Sequence, residues 1–177
     1  GLIKPWFDVI PREFWYCVDG RPVIHIWGVH PNNFKNHYGN VSAMTTWLCD
    51  QFQAAYGIRP YVIHMAKSLS FDQDPTLLYN PDVLGFDGWF DDDGHTVTEH
   101  NGFIHATGCP AYQEFNPAHD GAQRVYRQNG QTMRAGLDAA WDANADQMLL
   151  EGWTNFLESM GLYRSEEPGW LFPNQYI

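Results

Sequence analysis

One pattern constrains the fold more than any other feature of the chain, and it occurs twice. Arg-Pro precedes an apolar, β-branched run with a His near its end, at residues 21–28 and again at residues 59–65. Such runs are typical of strands buried on both faces of a parallel sheet. Between them, residues 41–56 have helical apolar spacing, and Gly57 is placed to end the helix. The pattern therefore predicts a βα unit with parallel strands.

The same alternation continues along the chain. Further strands are predicted at residues 83–87, 103–106 and 147–150, and a further helix at residues 131–144. Five strands and 177 residues are too few for a closed eight-stranded barrel, which takes about 250 residues. The prediction is an α/β fold, a partial TIM-type half-barrel of about five parallel βα units, and the alternative is an open five-stranded parallel sheet. No Ser- or Pro-rich linker divides the chain, so a single domain is predicted over residues 1–177.

A half-barrel has open strand edges, which a second copy or a missing N-terminal half-barrel would cover. A homodimer or such a missing half is therefore predicted as the partner. The chain has 21 acidic and 10 basic residues and a net charge of -11, which argues against a nucleic-acid partner. No apolar run is long enough for a membrane span. The predicted localisation is secreted or periplasmic, although the first residues do not read as a signal peptide.

The exit of the last predicted strand carries acidic and aromatic residues. Ligands of parallel sheets bind beyond the carboxyl ends of the strands. Carboxylates there can act as general acid, base or nucleophile, and indole rings can stack on a sugar. The plain alternative is a polar loop that covers a core strand. The catalytic candidates are the carboxylates placed in this way: Glu158, Asp87, Glu151 and Glu114.

Two families resemble the chain through these residues. Residues 108–158 resemble the closing βα units of glycoside hydrolase family 99, whose last strand ends in Trp-Asn-Glu-Trp-His-Glu where this chain has Trp-Thr-Asn-Phe-Leu-Glu, residues 153–158. The wider pattern, with Glu-Gly-Trp-Thr at residues 151–154 and the closing residues 173–177, resembles a bacterial family catalogued as domain of unknown function 5010. Its members often occur beside carbohydrate-binding modules. The resemblance implies a protein that acts on glycans.

One departure from the family pattern affects the expected mechanism. Of the paired carboxylates of family 99, the second falls on Glu158 but the first falls on Asn155, an amide that does not exchange a proton. Glu158 as acid/base therefore needs another partner. Asp87 is favoured because small residues flank it and Trp89 is adjacent. A carboxyl separation of about 5 Å would indicate retention of the anomeric configuration, and about 6.5–9.5 Å inversion.

Several other side chains at strand exits are predicted to bind the sugar. They are Trp27, His25, His64, Trp89, Tyr112, Trp153 and Asn155. For the four aromatic residues, packing in the core is the open alternative. Trp47 and Trp141 lie on predicted helix faces and are assigned to the core. No phosphate-binding loop or dinucleotide motif is present, so no cofactor is predicted.

Metal binding is the competing chemistry. His25, His64 and His105 each lie near a predicted strand end, where three imidazoles could converge on a transition metal. The turn Asp91-Asp92-Asp93-Gly94 is assigned to a solvated acidic turn in preference to a calcium loop. The leading function is thus a glycoside hydrolase acting on an oligo- or polysaccharide. The alternatives are a non-catalytic glycan-binding half-barrel and a metal-dependent carbohydrate-active enzyme that uses the strand histidines.

Overall fold

The structure is a computed structural model that describes residues 3–26, 40–65, 75–113, 124–126 and 128–151. The chain divides into two compact units, Gly1–Phe86 and Asp87–Ile177. The α-helices of the described residues are α1 (Lys4–Val9), α2 (Val41–Tyr56) and α3 (Gln131–Asp142). The strands are β1 (Cys17–Val18), β2 (Arg21–Ile26), β3 (Tyr61–Met65), β4 (Val83–Asp87), β5 (His95–His100), β6 (Phe103–Gly108), β7 (Tyr112–Gln113), β8 (Arg124–Val125) and β9 (Gln147–Leu150).

The first unit is built on a sheet with the strand order β1-β2-β3-β4. β1 is antiparallel to β2, and β2 is parallel to β3 with Ile26 opposite His64. Both Arg-Pro pairs of the repeated pattern precede strands of this sheet, and both arginines bind one carboxylate, that of Asp82. Arg21 Nη2 lies 2.9 Å from Asp82 Oδ1, and Arg59 Nη2 lies 2.5 Å from Asp82 Oδ2. The repeat therefore fixes the starts of two strands to the residue that precedes β4.

Helix α2 has the bounds that its sequence predicts. The Asn40 side chain accepts a hydrogen bond from the Ala43 N–H at 2.7 Å, and Gly57, at φ 74°, ends the helix. The assignment of Trp47 to the core is wrong, however, because Trp47 is 47% exposed. The buried face consists of Val41, Met44, Thr45, Cys49 and Phe52.

The second unit contains a sheet with the strand order β5-β6-β9. β5 and β6 form an antiparallel hairpin, and β6 is parallel to β9. The hairpin turn is Asn101-Gly102, with φ of 50° and 82°, the sequence and left-handed geometry of a tight two-residue turn. Helix α3 packs against β5 and β6. Its Trp141 is 83% exposed, so the assignment of Trp141 to the core is also wrong.

The predicted fold class is wrong. The described strands form mixed, partly antiparallel sheets and neither a parallel βα half-barrel nor an open five-stranded parallel sheet. The physical reason is β5, which was not predicted. Its alternating β-branched residues, Thr96 and Thr98 on one face and Val97 on the other, pair with β6 before any helix intervenes. β7 and β8 add another antiparallel pair.

The five predicted strands are all present, as β2, β3, β4, β6 and β9, with bounds within two residues of those predicted. The single domain and the homodimer stay predictions, and light scattering tests the second. Among the described residues, none of the helices has the length and apolar character needed to cross a membrane.

Candidate functional site

Asp87 is the centre of the site. It is the last residue of β4 and the first of the second unit, and its side chain is fully buried. One carboxylate oxygen, Oδ1, accepts two hydrogen bonds, from the Thr107 hydroxyl at 2.5 Å and from the backbone N–H of Trp89 at 2.6 Å. The second bond closes a tight turn over Gly88. The orientation of the carboxylate is thus fixed by its own turn and by strand β6.

His105 lies next to this carboxylate. It precedes Thr107 by two residues on β6, so both side chains point to the same face of the sheet. Its Nε2 atom lies 3.3 Å from Thr107 Oγ1 and 4.0 Å from Asp87 Oδ1. All three side chains are almost completely buried. The site therefore contains an acid and an imidazole joined through a hydroxyl.

Trp89 has an unusual backbone for a bulky residue, with φ 55° in the left-handed region. The Thr96 hydroxyl holds this conformation by donating a hydrogen bond to the Trp89 carbonyl oxygen. The preceding residue is Gly88, where a Cβ would lie 2.8 Å from Thr96 Oγ1. A left-handed, bulky residue that is over-determined in this way is typical of functional sites.

Glu151 completes the site. It follows β9, and its backbone N–H donates to the Gly108 carbonyl oxygen at 2.9 Å. The indole N–H of Trp89 donates to Glu151 Oε2 at 3.0 Å. Trp89 therefore contacts both carboxylates, Asp87 through its backbone and Glu151 through its ring. Two of the four predicted catalytic carboxylates are brought to one residue in this way.

A family described as a domain of unknown function (DUF5010) matches residues 2–177. The chain belongs to this family. The predicted resemblance to it is confirmed over almost the whole sequence. No curated protein and no solved structure matches the chain. The carboxylate site of this DUF5010 chain is therefore interpreted from its own geometry.

The remaining site predictions for the DUF5010 chain fall partly on described residues and partly outside them. Tyr112 packs in an aromatic cluster with Phe90 and Trp89, at centroid distances of 5.0 and 5.7 Å. Five predicted residues lie outside the described residues: Trp27, Glu114, Trp153, Asn155 and Glu158. Their predicted roles stay predictions.

Two of the strand histidines of the DUF5010 chain, His25 and His64, do not lie on the same face of the first unit's sheet. His25 is opposite Ile63 and His64 is opposite Ile26 in the register of β2 and β3. Partners in a register share a face, so His25 and His64 point to opposite faces of the sheet. His64 is buried and its Nε2 lies 2.9 Å from the Thr45 hydroxyl of α2. His105 belongs to the second unit.

A separate groove of about 380 Å³ lies on the second unit, at the start of α3. Its lining residues include Asp92, Asp93, His95, Arg134 and Asp138. None of the predicted site residues that the structure describes lines this groove. The aspartates of the acidic turn at its edge are exposed, and the turn is stabilised by a local hydrogen bond in which the Asp93 backbone N–H donates to the Asp91 side chain, Oδ1, at 3.0 Å.

Two residues of the site, Thr107 and Thr96, are not among those predicted from the sequence. A signal for Thr107 was present, because a residue two positions from His105 on a strand shares its face. Thr96 had no such signal, since its contact with Trp89 depends on the β5–β6 hairpin.

Proposed function

We propose that this DUF5010 chain is a glycoside hydrolase in which Asp87 and Glu151 are the carboxylates of the reaction. The observation that carries the proposal is the position of Trp89 between them. Its backbone N–H binds Asp87 Oδ1 at 2.6 Å, and its indole N–H binds Glu151 Oε2 at 3.0 Å. Two carboxylates with rigid, separate partners are what this class of reaction requires.

The two carboxylates differ in environment, and the proposed roles follow from that difference. Glu151 is half-buried, so it can reach a bound sugar, donate a proton to the departing glycosidic oxygen and then take a proton from the attacking water. Asp87 is fully buried, so we assign it the second role, the electrostatic stabilisation of positive charge on the sugar ring in the transition state. Glu158 remains the alternative acid/base on the basis of the sequence.

The proposed substrate is an oligo- or polysaccharide. A net charge of -11 does not attract polyanions, whereas a neutral sugar carries no charge to be repelled. Trp89 binds both carboxylates and is half-buried, so part of its ring can meet a sugar, while the buried rings of Phe90 and Tyr112 pack against it. The resemblance of residues 108–158 to glycoside hydrolase family 99 supports the same reaction class. Two carboxylates perform this hydrolysis without a cofactor.

The test is incubation of the full chain with plant, fungal and bacterial polysaccharides, with released sugars measured by chromatography. We expect products that persist in chelator and are lost in Glu151→Gln and Asp87→Asn. Asp142→Asn, on the exposed side of α3, is the matched control and should retain full activity. Circular dichroism of each variant separates loss of chemistry from loss of folding.

Other outcomes would assign the chain differently. Loss of activity in Glu158→Gln, with Glu151→Gln unaffected, would move the acid/base role to Glu158. Products that disappear in chelator would favour the metal-dependent alternative. Saturable glycan binding with no product from any polysaccharide would favour the non-catalytic glycan-binding protein.

A further inference from the structure

The hydroxyl of Thr107 lies between two buried ionisable side chains. Its Oγ1 atom is 2.5 Å from Asp87 Oδ1 and 3.3 Å from His105 Nε2. The direct distance from His105 Nε2 to Asp87 Oδ1 is 4.0 Å, which is too long for a hydrogen bond. Among the described contacts, Thr107 Oγ1 therefore provides a hydrogen-bonded link between this imidazole and this carboxylate.

The direction of each hydrogen bond follows from proton counting. A hydroxyl has one proton to donate, and an ionised carboxylate can only accept. Thr107 donates its proton to Asp87, so it has only lone pairs to offer His105. The contact between Thr107 Oγ1 and His105 Nε2 is then a hydrogen bond only if Nε2 carries a proton. The geometry thereby selects the protonated-Nε2 form of His105.

We propose that Thr107 is a positioning residue, which orients the Asp87 carboxylate and fixes His105 in the form with a proton on Nε2. The proposal rests on the proposed function, in which Asp87 is the second carboxylate. Because Thr107 and the Trp89 N–H both donate to Oδ1, the carboxylate plane is tied at once to β6 and to the turn after β4. Removing the Thr107 donor loses the bond that ties the carboxylate to β6, which weakens its alignment with the transition state.

Two variants separate the hydroxyl from the shape of the side chain. Thr107→Val keeps the volume and removes the donor, whereas Thr107→Ser keeps the donor and removes a methyl group. We expect Thr107→Val to lower kcat about tenfold to hundredfold, as for loss of a hydrogen bond to a charged group. KM should change little, since Thr107 is 1% exposed and has almost no surface to offer a substrate. Thr107→Ser should restore most of kcat, which a purely structural role of the methyl group would not predict.

A spectroscopic measurement on the full chain tests the inference without any substrate. Imidazole ¹⁵N NMR, with His105 assigned from His105→Gln, should show a protonated Nε2 in the wild type and in Thr107→Ser, and loss of this preference in Thr107→Val. A wild-type His105 with its neutral-form proton on Nδ1 would overturn the proposal, and this readout stands even if Thr107→Val does not fold. Unchanged kcat and an unchanged His105 spectrum in folded Thr107→Val would overturn it as well. A wild-type chain that hydrolyses no glycan but shows the expected spectra would reject the proposed function alone.

Discussion

Trp89 donates its indole N–H to Glu151 across 3.0 Å, although the two residues are 62 positions apart in the sequence. The nitrogen edge of the ring is therefore engaged with a carboxylate. One face of the side chain also meets Phe90, at a centroid distance of 4.6 Å, and Tyr112 contacts the ring edge to face. The sequence predicts that Trp89 binds a sugar, and the structure adds a second role, the placement of Glu151.

Loss of the indole N–H should destabilise the second unit. Trp89→Phe keeps an aromatic ring against Phe90 and Tyr112 but leaves Glu151 Oε2 without this donor. We expect the free energy of unfolding to fall by about 1.5–3 kcal/mol, the usual range for a hydrogen bond to a charged group. Urea denaturation measures the change.

A double-mutant cycle provides the control for this effect. Glu151→Ala removes the acceptor, so the combined variant should lose less stability than the sum of the two single variants. Strictly additive losses would show that the indole and the carboxylate do not interact in solution.

Gly94 should tolerate alanine less well than Gly102 does. Both glycines have a left-handed backbone, with φ of 83° and 82°, and this conformation costs an L-residue about 1–2 kcal/mol. A Cβ at Gly94 would also lie 2.7 Å from Val125 Cγ1 and from Thr132 Cγ2, whereas the space at Gly102 is open. We expect Gly94→Ala to lose a further amount of about 1–3 kcal/mol from overpacking. Thermal unfolding of the two variants makes the comparison, and equal losses would contradict the tight packing at Gly94.

Asp82 should be a large electrostatic contributor to the first unit. Its side chain is 4% exposed and binds Arg21 and Arg59. Asp82→Asn leaves both arginines without their carboxylate, and we expect a loss of about 3 kcal/mol, the low end for a buried ion pair, because the arginines are partly exposed.

Asp50→Asn is the matched control for Asp82, because Asp50 also binds Arg59 but is 57% exposed. This variant should lose no more than about 1 kcal/mol, as for other surface ion pairs. Chemical denaturation of both variants gives the two free energies. A loss in Asp50→Asn as large as that in Asp82→Asn would contradict the assigned difference in burial.

Thiol labelling should distinguish the cysteines. Burial, followed by the nearby negative charge of Asp82, raises the pKa of the Cys49 thiol to about 12. Cys49 is therefore protonated at pH 8, and the thiolate is the reactive form. Cys109 is fully buried, while Cys17 is exposed.

The expected result is one label for each folded chain at pH 8 and three labels in denaturant, read by mass spectrometry. Cys17→Ser should remove the label of the folded chain. Rapid labelling of Cys49 in the folded protein would contradict its burial.

The strands were predictable because they are local, and the fold class was not because pairing is long-range. The runs that became β2, β3 and β9 are identifiable from their own residues. Residues 95–100 are more polar and were assigned to no strand, although Asn101-Gly102 is a strong hairpin signal. Once that hairpin is missed, alternating strands and helices indicate parallel units, and the half-barrel follows from that error.

The site, like the fold, was predictable only where its signals are local in the sequence. Asp87 and Glu151 were found because each lies at the end of a short apolar run that predicts a strand, and that position is encoded locally. The bonds that join them depend on how Trp89 is turned, and its left-handed backbone is fixed by Thr96 on the unpredicted strand β5. Trp47 and Trp141 are exposed and not in the core, because helical spacing shows which residues share a face but not which face of the helix is covered.

Arg21 and Arg59 together form a double clamp on the Asp82 carboxylate, and this clamp has a consequence for the order in which contacts form during folding. Its partners are 61 residues away at Arg21 and 23 residues away at Arg59, so the clamp forms only when three separate stretches of chain have met. Closing the longer loop costs more chain entropy, so the contact with Arg59 should form first and that with Arg21 later. A contact that forms late in folding slows unfolding more than it speeds folding. The arginines of the repeated Arg-Pro pattern should therefore lengthen the lifetime of the folded unit.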